Sequence, residues 1–292
     1  MRPLGVAGVS HLGSGYAADA YRVRTAGGDL VLRLPKGRLE YTVPLLRREA
    51  RLLRALARVD LGVAVPHGMR EVRDGRTFLG TLHEYVPGAA HPRGLRGAAR
   101  ARLCDGIGRF LAALHGVPRM VATRAGTREA DLWPVYRGLI EEALPRLGPR
   151  ARAWLIDTAG AFARGGGTRR APRVLVHGDI QRAHLFGDAA GRLTGVIDFG
   201  EAMLADPALD FAGVLNDLGW SDLERVWAAY RAAGGRVDAD AARRVRFYIA
   251  VAPIYRVLYG EAAEGPAERL AGIRQLAARA AASTRRSGAP GA

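Results

Sequence analysis

Val174-Leu175-Val176-His177-Gly178-Asp179-Ile180-Gln181-Arg182-Ala183-His184-Leu185-Phe186, followed after a short gap by Gly195-Val196-Ile197-Asp198-Phe199-Gly200, is the stretch on which the reading of this chain turns. Val174 to Val176 are apolar and bounded by polar turn residues, so they read as a short buried strand that delivers His177, Gly178 and Asp179 into a loop. Five residues beyond Asp179 stands a second polar group, His184. A second apolar run, Gly195 to Ile197, then delivers Asp198. Two carboxylates and an imidazole carried on neighbouring strand ends suit phosphoryl transfer. That chemistry needs one carboxylate near an attacking hydroxyl and a ligand set holding divalent metal against phosphate oxygens, because catalysis there is mostly positioning and charge neutralisation. Asp179 suits the first role; His184 and Asp198 suit the second.

The order His-Gly-Asp, a polar ligand five residues after that Asp, then Ile197-Asp198-Phe199-Gly200 and Asp206-Pro207-Ala208-Leu209-Asp210-Phe211-Ala212, resembles the aminoglycoside phosphotransferase superfamily. That superfamily has a kinase-like fold and includes antibiotic kinases and choline and homoserine kinases. The resemblance implies an α+β, bilobal protein-kinase-like fold. Residues 1–87 would be a nucleotide-clamping lobe of antiparallel sheet with one helix, and 88–282 a mainly helical catalytic and acceptor-binding lobe. Residues 283–292 are expected to be a flexible tail. Most members carry Asn where this chain has His184; a His there is similar to the macrolide phosphotransferases and the two-double-prime aminoglycoside phosphotransferases. These branches often accept GTP, so ATP and GTP both stay open. Mg²⁺ is the implied metal, and a nitrogen ligand makes Mn²⁺ tolerable as well.

The resemblance also assigns parts of the N-terminal half. His11 to Tyr16, then Asp19 to Val23, read as strand, glycine turn and strand, with Ser14 and Gly15 at the turn where backbone can approach phosphates. Kinases place the phosphate-clamping cation on the third strand. The aligned residue here is Arg33 rather than Lys, and strand alternation puts Val31 beside it, lining the base pocket. Lys36, the chain's sole lysine, lies past Pro35, where the strand ends. Arg33 is the stronger candidate, although the choice between it and Lys36 stays open at this point, and a planar fork is not equivalent to a lysine point charge. Glu49, in the helical run Leu45 to Leu53, resembles the kinase carboxylate that braces the clamp. Thr77 to Val86 reads as the last strand of the lobe, broken by Pro87-Gly88. The resemblance assigns the backbone at Glu84 and Val86 to the purine edge.

Composition sets limits. The 292 residues are 49% hydrophobic, which suits a packed globular protein. The net charge of +16 points toward nucleic acid on its own. Its arginines are spread evenly, with no long basic run, no interleaved aromatics and no zinc or helix-turn-helix signature, so no nucleic-acid partner is expected. No apolar run reaches the ~18 residues of a membrane span, and Met1 to Ser10 lacks the apolar stretch of a signal peptide. Cys104 is the one cysteine and suits a reducing cytoplasm and a helix core. A cytoplasmic monomer, without a membrane partner, is the expectation.

Leu103, Ile107, Phe110, Leu111 and Leu114 recur at helical spacing and mark a buried helix ending near His115-Gly116, with His115 expected as a helix-end cap. Residues 130–165 read as further amphipathic helix. Gly165-Gly166-Gly167 reads as a flexible link, and Leu223 to Ala233, Ala241 to Tyr259 and Ala267 to Ala282 as helices. Asp206 and Asp210 read as loop supports, Asp210 through hydrogen bonds to the His177 region. Polycationic acceptors need several unpaired carboxylates, and neither half of the chain is acid-rich. Trp220, Phe247, Tyr248, Tyr255 and Tyr259 offer aromatic surface for a larger, less charged acceptor, with Glu201 as a further candidate contact. The expected function is therefore that of an antibiotic-resistance kinase acting on a hydroxyl of a macrolide or nucleoside antibiotic. The alternatives are an aminoglycoside kinase and a housekeeping kinase of choline or homoserine type.

Overall fold

Strand pairing in the N-terminal part follows the alternation of the sequence. The computed structural model describes residues 5–287, apart from the side chains of 261–264 and 284–287. Strands β1 (Val6–Ser14), β2 (Ala18–Thr25) and β3 (Gly28–Pro35) form an antiparallel meander; helix α1 (Leu39–Leu56) follows, then β4 (Arg70–Asp74) and β5 (Thr77–Glu84). β5 inserts beside β3, giving the order β1-β2-β3-β5-β4. In that register Val31 faces His83 and Arg33 faces Thr81 across the ladder, so both members of each pair lie on one face of the sheet. Helix α1 buries Leu45, Leu46, Ala50, Leu52, Leu53 and Leu56 along one stripe, each leucine contributing on the order of 2 kcal/mol by removal from water. Glu49 falls on the same stripe and is carried indoors with it.

The chain continues through α2 (Gly97–His115), α3 (Arg119–Arg124), α4 (Leu132–Ala143) and α5 (Pro149–Arg164). Four short strands follow, β6 (Val174–Val176), β7 (Leu185–Gly187), β8 (Leu193–Val196) and β9 (Met203–Ala205), in which β6 pairs with β9 and β7 with β8, both antiparallel. Helices α6 (Ala208–Leu218), α7 (Trp220–Ala232), α8 (Ala241–Val251), α9 (Ile254–Glu264) and α10 (Pro266–Ser287) complete the fold. It is thus an antiparallel five-stranded sheet with one helix, followed by a mainly helical part, as the resemblance implied. None of the helices is long and apolar enough to cross a membrane among the described residues.

The chain divides into two compact units, Met1–Glu129 with Arg173–Val237, and Ala130–Pro172 with Asp238–Ala292. In the first, α2 packs on α7 where Gly108 lies against Val226 and Ala229, Cys104 Sγ is 3.6 Å from Asp222 and His115 meets Tyr230; Leu103, Cys104, Ile107, Phe110, Leu223 and Val226 are all buried. The second has an aromatic core. Phe162 and Phe247 stack at 3.7 Å, with Trp133 edge-on to both and Tyr136 packed against Phe247 and Tyr248. Phe247 and Tyr248, expected to offer surface to an acceptor, are instead buried in this cluster.

Two helical expectations need correction. The run Ala241 to Tyr259 is two helices, because Pro253 lacks an N–H and its ring crowds the carbonyl one turn back; α8 stops at Val251 and α9 restarts at Ile254. Helix α10 continues to Ser287, beyond 283 where the tail was placed, and 288–292 lie outside the described residues.

Candidate active site

Strand β6 delivers His177-Gly178-Asp179 into a loop whose backbone is held by one buried carboxylate. The His177 N–H donates to Asp210 Oδ2 at 2.9 Å and the Gly178 N–H to Oδ1 at 2.8 Å. On its far side Asp210 Oδ2 lies 3.0 Å from His115 Nε2, and His115 Nδ1 lies 3.0 Å from the Tyr230 hydroxyl. A tautomer in which Nε2–H donates to Asp210 while Nδ1 accepts from Tyr230 satisfies all three groups. Burial works to raise the Asp210 pKa, but the hydrogen bonds from His115 and from the Gly178 amide outweigh it and hold the carboxyl below its usual range. Burial, with the Asp210 charge behind it, pushes the Tyr230 phenol up to about 12. His115 is therefore not a helix-end cap: the Gly116 N–H closes the helix onto Ala112 O, and His115 braces the loop carboxylate.

His177 itself ties the two strand ends together. Its Nε2 donates to Ile197 O at 3.0 Å and its Nδ1 accepts from the Asp179 N–H at 3.3 Å, an arrangement that requires a neutral ring. Burial lowers its pKa, in keeping with that state. Gly178 has φ of 83°, and a Cβ there would lie 2.4 Å from Glu201 O, so both backbone conformation and space demand glycine.

Asp179, His184 and Asp198 each offer a ligand atom within 4.8 Å of the others. His184 Nδ1 donates to Asp179 O at 2.9 Å. That bond fixes the tautomer and leaves Nε2, 3.5 Å from Asp198 Oδ2, as a lone-pair donor. Both Asp179 oxygens accept from Gln181 Nε2, at 3.1 and 3.0 Å. Asp198 has φ of 66°, the one positive φ outside glycine among the described residues. That conformation is uncommon for a non-glycine residue and easiest for Asn and Asp, and held strain of this kind gathers at functional sites.

Arg33 joins the sheet to this centre. Its Nη1 lies 2.6 Å from both Glu49 oxygens and its Nη2 3.2 Å from Asp198 Oδ1. Glu49 also accepts the Phe199 N–H at 3.1 Å, so one buried carboxylate positions both the guanidinium and the residue after Asp198. Although burial opposes its charge, the carboxylates of Glu49 and Asp198 raise the Arg33 pKa and keep it protonated. Burial also pulls Asp198 upward, yet the Arg33 charge and hydrogen bond hold its carboxyl below the ordinary range. Lys36 is occupied elsewhere: its Nζ donates to Ser14 Oγ at 3.0 Å and pairs with Asp19 at 3.3 Å. Ser14 also hydrogen-bonds Asp19, and the Gly15 N–H closes the turn onto Ala18 O.

Glu84 ends β5 with its side chain exposed and 2.7 Å from His67 Nε2. Its carbonyl accepts from His83 Nδ1 at 2.8 Å, and burial drives the His83 pKa down to about 4. Val86 is buried just beyond. Glu201 follows Gly200, with its carbonyl and Cβ against Gly178 and its side chain exposed. Trp220 opens α7, with Nε1 donating to Glu224 and its ring edge-on to Trp227. Tyr255 and Tyr259 lie on α9 in the second unit, both exposed, with centroids 6.3 Å apart. Gln181, His115 and Tyr230 are the contributors the sequence reading missed. Gln181 was findable as an amide two residues past Asp179; His115 and Tyr230 meet only through folding, 115 residues apart in sequence.

A loop carboxylate, an imidazole and a second carboxylate, joined to a buried arginine and glutamate pair, define the site of a phosphotransferase. Residues 8–248 match the model of the Phosphotransferase enzyme family, and the chain belongs to that family. The structure of the GDP and kanamycin complex of APH(2")-IIia is similar at 25% identity and a TM-score of 0.76, with 94% of each chain covered. The macrolide 2'-phosphotransferase MphH from Brachybacterium faecium is similar at 25% identity and a TM-score of 0.74, again over 94% of each chain. The GDP complex of wild-type aminoglycoside 2'-phosphotransferase-IIIa shares the fold at a TM-score of 0.80 and 24% identity, covering 95% of this chain and 94% of that one. The uncharacterized protein YcbJ of Bacillus subtilis (strain 168) is 29% identical over 154 residues, 50% of this chain. The match takes in 48% of that protein, so the chain spans about half the length of the curated relative it matches.

Proposed function

We propose that this protein transfers the γ-phosphoryl group of ATP or GTP to a hydroxyl of a small-molecule antibiotic, most directly a macrolide or nucleoside antibiotic. The observation that carries the reading is the convergence of Asp179, His184 and Asp198 within 4.8 Å, with Arg33 reaching Asp198 at 3.2 Å. In this reading Asp179 orients the acceptor hydroxyl and takes its proton late in a loose transition state. Gln181 aims the Asp179 carboxylate. Arg33, braced by Glu49, holds nucleotide phosphate oxygens by its fork. Ser14 and Gly15 approach the phosphates by backbone and hydroxyl, and the Glu84 to Val86 backbone meets the purine edge.

The residues present fit a divalent cation. His184 Nε2 and Asp198 Oδ2 are two acceptors facing each other at 3.5 Å, an arrangement favourable when positive charge lies between them. Mg²⁺ or Mn²⁺ held there would neutralise charge on the phosphate oxygens. His184 supplies the nitrogen donor, Asp198 the anionic one, and Asp210 with His115 keeps the loop amides in place. The lone buried thiol of Cys104 suits a reducing cytoplasm, and the reading is of a monomer.

A polycationic aminoglycoside is the second reading, favoured by the 25% identity to a chain whose structure holds GDP and kanamycin. The acid-poor composition, 28 Asp and Glu against 44 Lys and Arg, favours the less charged acceptors. The test is to incubate the purified protein with ATP or GTP, Mg²⁺ or Mn²⁺, and a panel of macrolide, nucleoside and aminoglycoside antibiotics together with choline and homoserine. Mass spectrometry then reads the phosphate adduct. An adduct only on choline or homoserine overturns the antibiotic reading; no adduct and no nucleotide hydrolysis overturns the kinase.

A further inference from the structure

The turn Gly165-Gly166-Gly167, which phosphoryl transfer leaves unused, forms one wall of a cavity of about 350 Å³ within the second compact unit. Most of the remaining wall is arginine. Arg164, Arg169 and Arg170 flank the glycines, and among the described residues none of the three forms an ion pair. Arg243 and Arg244 come from the first turn of α8, and Asp240 is the one carboxylate in the lining.

The arginines divide by what already holds them. Arg244 is buried, with its two Nη atoms on Asp238 at 2.8 and 2.6 Å, so it forms the floor. Arg243 is held by Nη2 donating to Gly167 O at 3.2 Å, Nη1 donating to Phe162 O at 3.5 Å, its guanidinium over the Phe162 ring at 5.2 Å and a loose ion pair of Nε with Asp240 Oδ1 at 3.8 Å, which leaves its charge only partly compensated. Gly165 makes that position possible. A Cβ there would sit 3.2 Å from Arg243 Nη1, although the φ of −73° would admit any residue. Space, not backbone freedom, is what glycine provides at 165.

Like charges gathered on a concave wall repel one another and concentrate counter-ions. The ligand's chemistry follows from the lining. Guanidinium forks match tetrahedral oxyanions, and apart from Ala171 the lining offers no apolar or aromatic side chain to an organic body. We propose that this cavity binds a phosphate-bearing anion through Arg169, Arg170 and Arg243, independently of the phosphoryl-transfer site.

The test is isothermal titration calorimetry of the full chain with inorganic phosphate, against chloride at matched ionic strength. Saturable one-to-one binding is expected. Arg169→Gln combined with Arg170→Gln should weaken it at least ~tenfold, since two charge-assisted contacts are lost. Gly165→Ala, which crowds the Arg243 guanidinium without changing charge, should weaken it several-fold. Arg58→Gln combined with Arg124→Gln removes the same charge from the surface of the other unit and should change affinity less than ~twofold. Circular dichroism on each variant checks folding. Equal loss in that control pair would show bulk attraction only and overturn the site. Absence of saturable binding would do the same. Loss of phosphate binding on Arg33→Ala, with the cavity variants unaffected, would place the anion at the nucleotide site instead.

Discussion

At Arg33 a single guanidinium meets two carboxylates, which a lysine ammonium at the end of the same strand cannot do. Nη1 sits between the oxygens of Glu49 and Nη2 reaches Asp198, whereas Lys36 is drawn to Ser14 and Asp19 at the glycine turn. Arg33→Ala should therefore weaken nucleotide binding far more than Lys36→Ala, measured by fluorescent-nucleotide titration; the reverse order would move the clamp to the turn. The same substitution leaves Glu49, 3% exposed, without its cation, and stability should fall by roughly 3 kcal/mol in urea unfolding. For Asp179, substitution by Ala should lower kcat at least ~100-fold with nucleotide affinity little changed, because orienting and base contributions run at ~10²–10⁴. A matching loss of nucleotide affinity would reassign the residue to binding. His184 offers nitrogen to a cation, and Mg²⁺ prefers oxygen more strongly than Mn²⁺ does. Mn²⁺ should support turnover at least as well as Mg²⁺, and His184→Asn should shift the ratio of the two rates toward Mg²⁺; an unchanged ratio would make His184 a packing residue. Single positions of this kind were legible because residue type carries the chemistry. The Tyr230 partner of His115 was not, since the two lie 115 residues apart and meet only in the fold.

Among the elements, the loop after β6 is built by contacts that sequence spacing does not reveal. Its amides are held by Asp210 from α6, Asp210 is met by His115 from α2, and His115 by Tyr230 from α7. The strands β3, β5, β6 and β8 were readable from apolar runs and the helices from their 3.6 period. The pairing of β6 with β9 was not, because Met203 to Ala205 is short and bears no alternation of its own. The break at Pro253 was visible and passed over in favour of continuous helical periodicity. Asp210 makes the bracing testable through pH. Its folded pKa lies below that of an unfolded aspartate, about 3.9, so its stabilisation is fully present above that value and is lost as pH falls through the folded one. Asp210→Asn should cost roughly 3 kcal/mol at neutral pH, because hydrogen bonds to a buried carboxylate contribute ~1.5–3 kcal/mol each and an amide oxygen cannot accept all three of its donors. The gap in Tm between native and variant should then narrow below about pH 4. A gap of constant size from pH 3 to 7 would mean that the Asp210 pKa is the same folded and unfolded, and a gap that widens as pH falls would mean that it is protonated in the native state.

Across the whole molecule, the residues assigned to nucleotide and metal fall in one compact unit although they are far apart in sequence. Ser14, Arg33, Glu49, Asp179, His184 and Asp198 all belong to Met1–Glu129 with Arg173–Val237. The chain leaves this unit at residue 130 and returns at 173 with the loop that carries Asp179, so the intervening helices α4 and α5 form a separate body with α8 to α10. Composition gave no warning of this excursion, since 130–172 is as rich in Ala, Gly and Arg as the rest. A consequence follows for ligand-linked stability. A ligand that binds only the folded first unit stabilises it by RT ln(1 + [L]/Kd), about 2.7 kcal/mol at a hundredfold excess over Kd. Nucleotide with Mn²⁺ should therefore slow amide hydrogen exchange in β1 to β3, in α1 and in the loops around Asp179 and Asp198. Exchange in α5, α8 and α10 should respond much less, because no residue assigned to the nucleotide lies there. Hydrogen exchange read by mass spectrometry, with and without nucleotide, decides the matter. Protection concentrated in α5 and α8 would place the nucleotide phosphates at the arginine cavity, and uniform protection would mean that the two units open together.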